Sequence, residues 1–586
     1  MPPMTELHRA LRAARAPLIG LAGLSALVNV LYLTGSFFML EVYDRVVPSR
    51  SIPTLVGLCV LALSLYAFQG TLETFRARIA GRLGLVLDER LNRSVFALTL
   101  EAPLRTPTSG DGLAAIRDLD QIRTFLAGGG PSALFDLPWM PIYVAICFLF
   151  HPLIGAAAIV AVLVLAALTC ATEFTTRALN RAATAHGTRR MGLAEAGRRN
   201  AEAVAAMGMQ GALFGHYAAA NADYLHTQQR LADLAGGFSS ASKVFRMALQ
   251  SGVLALGAWL LIEGQATSGI MIASSILVSR ALAPAELAIA NWKGFVAARQ
   301  GWARLAAALA LLPTDGERHS LPRPHGTLAV EAVSVVPPGT QRLVVQDVSF
   351  SLAAGQALGV IGPSASGKSS LGRVLAKIWT PARGKVRLDG AALDQWSHAA
   401  LGPHLGFLPQ HVELFAGTLA QNIARFDPGA SAETITAAAK AAGAHELILR
   451  LPEGYNTRIG PDGAGLSAGQ AQRIGLARAV YGDPFLVVLD EPNANLDGDG
   501  EAALTRAIAG IRARGGICVV IAHRPSALAA VDFVLVMGEG RAVRFGPRDE
   551  VLRKVLRPTP VPAQASAPVS AVAVPDQLGH SRQESA

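Results

Sequence analysis

Charge is scarce in this chain. Asp, Glu, Lys and Arg together make up 16% of its 586 residues, against roughly a quarter in soluble domains, which excludes a chain that is soluble throughout. Cysteine is scarcer: Cys59, Cys147, Cys170 and Cys518 are the four present, too few and too scattered for the disulfide framework of a secreted scaffold. None has metal-ligand spacing, and all four read as small buried hydrophobes. Aromatics amount to 6%, and no basic stretch is interleaved with them. The net charge of +10 therefore argues for no nucleic-acid partner. It fits the Arg bias of loops on the cytoplasmic side of a membrane. A cleavable leader is not expected either, because the first apolar run is too long for one and no small-residue cleavage site follows it.

What the chain does have is hydrophobic residues, 51% of the total, with a mean hydropathy of +0.36. Leu18–Leu40 is long enough to cross about 30 Å of hydrocarbon, and His8, Arg9, Arg12 and Arg15 before it place the N-terminus on the cytoplasmic side. Ile52–Gly70 returns. Phe135–Cys170 is too long for one crossing, and His151-Pro152 splits it into a tight helical hairpin. Met247–Ile262 makes a fifth span. A sixth near Ile270–Ile289 is interrupted by Arg280, Pro284 and Glu286, which must face a bundle interior or an aqueous path, or lie beyond the bilayer. The outside links, Glu41–Ser51, His151-Pro152 and Glu263–Ser268, are short, and Glu41–Arg50 taken alone reads as a polar turn. The inside links, about 71–134 and 172–246, are long and Arg-rich, with helical texture at Asp88–Leu100 and Arg189–Met207. They predict helical levers extending beyond the membrane.

From Thr327 to Leu556 the texture changes to short β-branched strands alternating with helices, a mostly parallel α/β pattern. The expected organisation is a cytoplasmic N-terminus (1–17), a transmembrane domain (18–312), a linker (313–326), an α/β domain (327–556) and a disordered Pro-, Ala- and Ser-rich tail (557–586).

The chemistry sits in the second half. Gly362-Pro363-Ser364-Ala365-Ser366-Gly367-Lys368-Ser369 follows the apolar strand Ala357–Ile361 and opens a helix. Glycines there let backbone N–H groups wrap phosphates at a helix N-terminus, Lys368 reaches the β- and γ-phosphates, and Ser369 ligates Mg²⁺. The apolar strand Phe485–Leu489 ends in Asp490-Glu491. Asp490 is placed to hold Mg²⁺, and Glu491 to act as the general base on the attacking water. His523 ends a second apolar strand, Ile517–Ala522, where it can contact the γ-phosphate. Gln410 follows the strand Gly406–Leu408 and is a candidate sensor of Mg²⁺ and water. Leu466-Ser467-Ala468-Gly469-Gln470 opens a further helix, with Ser467 as a hydroxyl donor to a second nucleotide.

Together these elements resemble the nucleotide-binding domain of ATP-binding-cassette (ABC) transporters. The resemblance implies that Gly362 to Ser369 with Ser370, Leu466 to Gln470 and the turn residue Asp497 bind ATP. It also implies that Ser369, Gln410 and Asp490 serve Mg²⁺, and that Glu491, His523 and Gln410 serve hydrolysis. Leu466–Gln470 would act on the nucleotide of a second subunit, so a homodimer closing on two ATP molecules is implied. Two departures stand out: Ala468 occupies a position where the family usually has Gly, and Val335-Val336-Pro337-Pro338 lacks the aromatic that usually stacks on adenine.

A membrane half followed by an ATPase half resembles an ABC exporter half-transporter. The expected fold is thus an α-helical transmembrane domain of six spans, of ABC exporter type, followed by an α/β P-loop nucleotide-binding domain. Finer strings are Glu41-Val42-Tyr43-Asp44-Arg45-Val46-Val47-Pro48-Ser49-Arg50, Asp136-Leu137-Pro138-Trp139-Met140-Pro141-Ile142-Tyr143, Arg199-Asn200-Ala201-Glu202-Ala203-Val204 and Asn493-Ala494-Asn495-Leu496-Asp497. They resemble the type I secretion ATPases that export proteases, lipases and repeat-in-toxin-like proteins, without the N-terminal peptidase-like domain that many members carry. This implies a bacterial inner-membrane location, an unfolded protein cargo with a C-terminal signal, and contact with membrane lipids. It also implies a periplasmic adaptor (membrane-fusion) protein and an outer-membrane channel as partners. An exporter of lipids or small hydrophobic molecules is the alternative on the same six-span plan.

Overall fold

The computed structural model describes residues 6–105, 113–310, 321–460, 465–523 and 525–555. The chain divides into two compact units, Met1–Thr314 and Asp315–Ala586. The expected tail and most of the expected linker lie outside the described residues.

The first unit is helical. Six helical stretches long and apolar enough to cross a membrane run over Ala14–Ser49, Ile52–Arg105, Gly130–Phe150, Pro152–Arg199, Gln210–Ile262 and Ser268–Leu309, so each expected span is present. The long apolar run breaks at its proline: His151 is extended (φ −163°, ψ 140°), Pro152 takes the first helical position, and His151 Nδ1 accepts the Leu153 N–H at 3.2 Å. Pro284 and Glu286 do not interrupt the sixth span. Pro284 is buried within the continuous helix, and Glu286 pairs with Arg246 at 3.0 Å.

The long links are mostly continuations of the spans; the first also holds a separate helix, Ala114–Ala127. The helix carrying the second span has 54 residues, about 80 Å at 1.5 Å per residue, where about 30 Å of hydrocarbon needs far fewer. Asp88–Leu100 lies inside it. Arg189–Met207 is broken at Asn200, where the helix Pro152–Arg199 gives way to a short turn of helix, Ala201–Ala206. The extension of the second helix has a reason to stay folded. Leu87, Leu91, Val95 and Leu98 fall on one helical stripe and pack on Leu119, Ile122, Ala298 and Leu305. Each such side chain, fully buried, stabilises by about 1.5–3 kcal/mol.

Two expectations need correction. Glu41–Ser51 is not a polar turn: helix Thr34–Glu41 runs through a π-turn, Val42–Val46, into Val47–Ser49, and the chain reverses at left-handed Arg50 (φ 51°). The polar residue that suggested a loop is satisfied by the end of a neighbouring helix. Asp44 accepts the Thr267 hydroxyl at 2.6 Å and the Gly269 N–H at 2.7 Å, at the start of the sixth span. The cysteines are also not uniformly buried. Cys147 and Cys518 are, but Cys59 is half-buried and Cys170 exposed, because an apolar run in a membrane helix turns one face outward, where lipid replaces the core.

The Asp136–Tyr143 string has a structural role. Asp136 accepts from Asn29 Nδ2 at 2.7 Å and pairs with Arg76 at 3.1 Å, while Tyr143 donates to Asn29 Oδ1 at 2.9 Å. Asn29, Asp136 and Tyr143 are buried, so this network ties the first three spans together where water cannot compete.

The second unit holds two main sheets. One is antiparallel, in the order Val345–Ala353, Thr327–Val335, Arg383–Leu388, Ala391–Ala392; the mostly parallel α/β reading did not include it, although Val348, Phe350 and Leu352 alternate with Ser349 and Ser351. The other has six strands, in the order Arg541–Pro547, Phe533–Gly538, Ala357–Ile361, Ile517–Ile521, Leu486–Asp490, Leu405–Leu408. All but the first of these run parallel. Ala357–Val360, Leu486–Asp490 and Ile517–Ile521 are buried throughout, as strands covered on both faces must be.

Candidate functional site

Register places the site. Ile521 lies opposite Asp490 on one side and Val360 on the other, and Leu408 lies opposite Leu489. The four strands therefore finish together, and the residues just beyond them, Gly362, Gln410, Asp490-Glu491 and His523, share one sheet edge. The carboxyl ends of parallel strands are where open α/β sheets bind ligands.

The phosphate loop requires its glycines. Gly362 (φ 152°) and Gly367 (φ 92°) have left-handed backbones, and added Cβ atoms would stand 2.2 Å from the Met537 carbonyl oxygen and 2.6 Å from that of Val344. Pro363, Ser364 and left-handed Ala365 (φ 63°) form the exposed rim, and Ser366 is buried. The helix Lys368–Leu375 follows, with Ser369 and Ser370 half-buried in its first turn. Lys368 Nζ donates to the carbonyls of Gly362 (2.9 Å) and Pro363 (2.7 Å), folding the ammonium over the loop. Burial pulls its pKa down, opposed by Glu491 and Asp490.

Ser369 Oγ donates to Asp490 Oδ1 at 3.1 Å. Burial raises the Asp490 pKa and Glu491 adds to this, against Ser369, Arg373 and Lys368. Glu491 turns the chain with a left-handed backbone (φ 49°), and its carboxylate is held from both sides. Gln410 Nε2 donates to Oε2 at 3.0 Å, and His523 Nε2 lies 3.0 Å from Oε1. The residues expected to serve hydrolysis are thus in mutual contact.

The pentapeptide is elsewhere. Leu466 is half-buried, and Ser467 caps the helix Ala468–Val480: its Oγ accepts the Gln470 N–H at 3.3 Å, and Gln470 Oε1 accepts the Ser467 N–H at 2.9 Å. A Cβ on Gly469 would meet the Asn495 carbonyl at 2.7 Å, whereas Ala468 is exposed, its methyl unopposed. Asp497 caps the helix Gly498–Ala513 by accepting from Gly500 N at 2.8 Å and also pairs with Arg473. The Gly500 N–H first and Arg473 second hold its pKa below the usual range. A cleft of about 650 Å³ opens beside Ser467 and Asp497. Among the described residues no hydrogen bond joins 466–470 to the phosphate loop. Sequence reasoning missed the Ser467/Gln470 capping box, which the Ser-x-x-Gln spacing signals, and Arg473, which carries no local signal.

The residues present fit ATP and Mg²⁺. Ser366 Oγ is buried and, among the described residues, has no hydrogen-bond partner, a donor that a phosphate oxygen would satisfy. Ser369 and Asp490 bring two hard oxygens together, suited to Mg²⁺ that takes its remaining ligands from phosphate and water.

The ABC transporter family model matches residues 345–494, and the model of the ABC transporter transmembrane region matches 18–282. The chain is 58% identical over 562 residues to the type I secretion system ATP-binding protein PrsD of Rhizobium meliloti, covering 96% of this chain and 97% of the relative. This chain belongs to the type I secretion ABC transporters. Within that family it is also 29% identical over 540 residues to the cyclolysin secretion/processing ATP-binding protein CyaB of Bordetella pertussis (90% of this chain, 75% of CyaB). To the alpha-hemolysin translocation ATP-binding protein HlyB of Proteus vulgaris it is 28% identical over 550 residues (90% and 75%). In fold, this type I secretion transporter is similar to a solved bacterial Atm1-family ABC exporter with ATP bound. The TM-score is 0.77 at 24% identity, over 92% of this chain and 96% of that one.

Proposed function

We propose that this transporter is an ATP-driven half-transporter that works as a homodimer and energises type I secretion of unfolded proteins across the bacterial inner membrane. The observation that carries the reading is the joint presence of six membrane-spanning helices and the contiguous Ser369–Asp490 and Gln410–Glu491–His523 contacts at one sheet edge, in a chain 58% identical to a type I secretion protein. ATP is the substrate. Lys368, Ser366 and the loop N–H groups bind its phosphates. Mg²⁺, held by Ser369 and Asp490 with Gln410 nearby, would neutralise developing phosphate charge. Glu491, oriented by Gln410 and His523, takes the proton of the attacking water.

Ser467, the exposed cap of its helix beside an open cleft, serves the nucleotide of the partner subunit. Two chains thereby close on two ATP molecules, and hydrolysis reopens them. The organisation 1–17, 18–312, 313–326, 327–556 and 557–586 keeps both termini and the ATPase in the cytoplasm, with the Arg-rich extensions on that side. A periplasmic adaptor and an outer-membrane channel continue the path for a cargo with a C-terminal signal. The gene is deleted and the secreted proteomes compared: one or a few extracellular proteins should disappear. An unchanged secretome with altered lipids would instead identify a lipid exporter.

A further inference from the structure

The sixth span is well enclosed by its neighbours. Between Ser268 and Glu286 every residue is buried or half-buried except one, Arg280. A position turned toward lipid would be apolar. Arg280 sits 12 residues after the helix start at Ser268, about 18 Å along the axis, near the middle of about 30 Å of hydrocarbon. At that depth an arginine faces protein or a water-filled path.

Its neighbours offer it no direct ion pair. The guanidinium lies over the Tyr32 ring, 4.7 Å from the centroid. Tyr32 donates to Glu73 Oε1 at 2.8 Å, and Gln69 donates to the same oxygen at 2.9 Å. Glu73 is held by these two neutral donors on the far side of the ring, and the nearby Asp136 is taken by Arg76. Among the described residues Arg280 has no ion-pair partner. Stacking on an aromatic ring fixes the plane of a guanidinium and leaves its N–H fork free, the geometry that receives a carboxylate in bidentate fashion. Lipid phosphates lie at the membrane surfaces, too far away to serve.

The geometry points to Arg280, seated on Tyr32, as a carboxylate-binding site in the transport path, taking an acidic side chain or the terminal carboxylate of the exported polypeptide. This rests on the export reading. It adds a specificity element: the membrane half selects for negative charge in its cargo at one fixed depth.

The test is peptide binding to the full-length protein in lipid nanodiscs, without ATP, read by fluorescence anisotropy. The probes are short labelled Gly-Ser peptides of four kinds: Asp-containing with an amidated terminus, uncharged with a free terminal carboxylate, uncharged and amidated, and Lys-containing and amidated. The wild type should bind the first or second more tightly than the third, and which of the two it prefers tells side chain from terminus. Arg280→Gln should lose about tenfold in affinity for the preferred peptide, Arg280→Lys should retain the preference, and Arg280→Glu should shift it to the Lys peptide. The swap is a gain that a misfolded variant cannot produce. Equal binding of all four peptides by the wild type, an undiminished preference in Arg280→Gln, or an aspartate preference surviving in Arg280→Glu overturns the proposal. The assay needs neither turnover nor secretion, so its failure leaves the export reading standing.

Discussion

Replacing Glu491 with Gln separates two roles that the site geometry combines. The carboxylate accepts from Gln410 at 3.0 Å and lies 3.0 Å from His523 Nε2, so it is both the candidate base and the centre of a small network. An amide at position 491 keeps the shape but presents one N–H₂ group to a neighbouring donor, losing one hydrogen bond, about 1 kcal/mol. If that were its only effect, turnover would fall about fivefold. Loss of a general base removes about 10²- to 10⁴-fold, or roughly 3–5 kcal/mol of barrier. Gln410→Ala is the matched control: it deletes one contact to the carboxylate and leaves the base. The expected result is phosphate release lowered at least a hundredfold in Glu491→Gln, with ATP still bound and an ATP-stabilised dimer seen by size exclusion. Gln410→Ala should lose much less. Turnover in Glu491→Gln within fivefold of the wild type, or equal losses in the two variants, would refute the assignment of the base.

The pentapeptide should be asymmetric: Gly469→Ala forces a methyl to within 2.7 Å of the Asn495 carbonyl and should cost about 1–3 kcal/mol, whereas Ala468→Gly should shift stability by no more than about 1 kcal/mol, both read by thermal unfolding. Asp136→Ala strands Arg76 in the bundle and should destabilise the protein by about 3–5 kcal/mol, seen as a lowered melting temperature in nanodiscs. Burial works to raise the Asp389 pKa, but N–H donation from His325, Thr327 and Gly326 outweighs it, and the folded pKa lies below the usual value. Its contribution is therefore present above about pH 4 and lost as pH falls through the folded value. The stability gap between the wild type and Asp389→Ala should narrow on acidification, and a gap that widens would contradict the sign.

The sequence by itself was enough for the spans and the chemistry, because both are local. A run of apolar residues long enough for a bilayer needs no partner to be recognised, and the break at His151-Pro152 follows from a proline that cannot donate. The strand before Gly362, the Asp490-Glu491 pair and the helix after Ser467 likewise follow from short-range pattern. Tertiary structure decided what depends on residues far apart in the chain. Strand register set Gln410 and His523 on either side of Glu491, and the antiparallel sheet joined Thr327–Val335 to Arg383–Leu388, strands separated by the whole phosphate loop and its helix. Asp44 looked like part of a loop until Gly269, 225 residues on, supplied its N–H. Arg280 read as an interruption of a span, and only the packed bundle showed it to be the one exposed position in an enclosed stretch. Hydrophobic length is a property of a segment; where a buried charge finds its partner is a property of the fold.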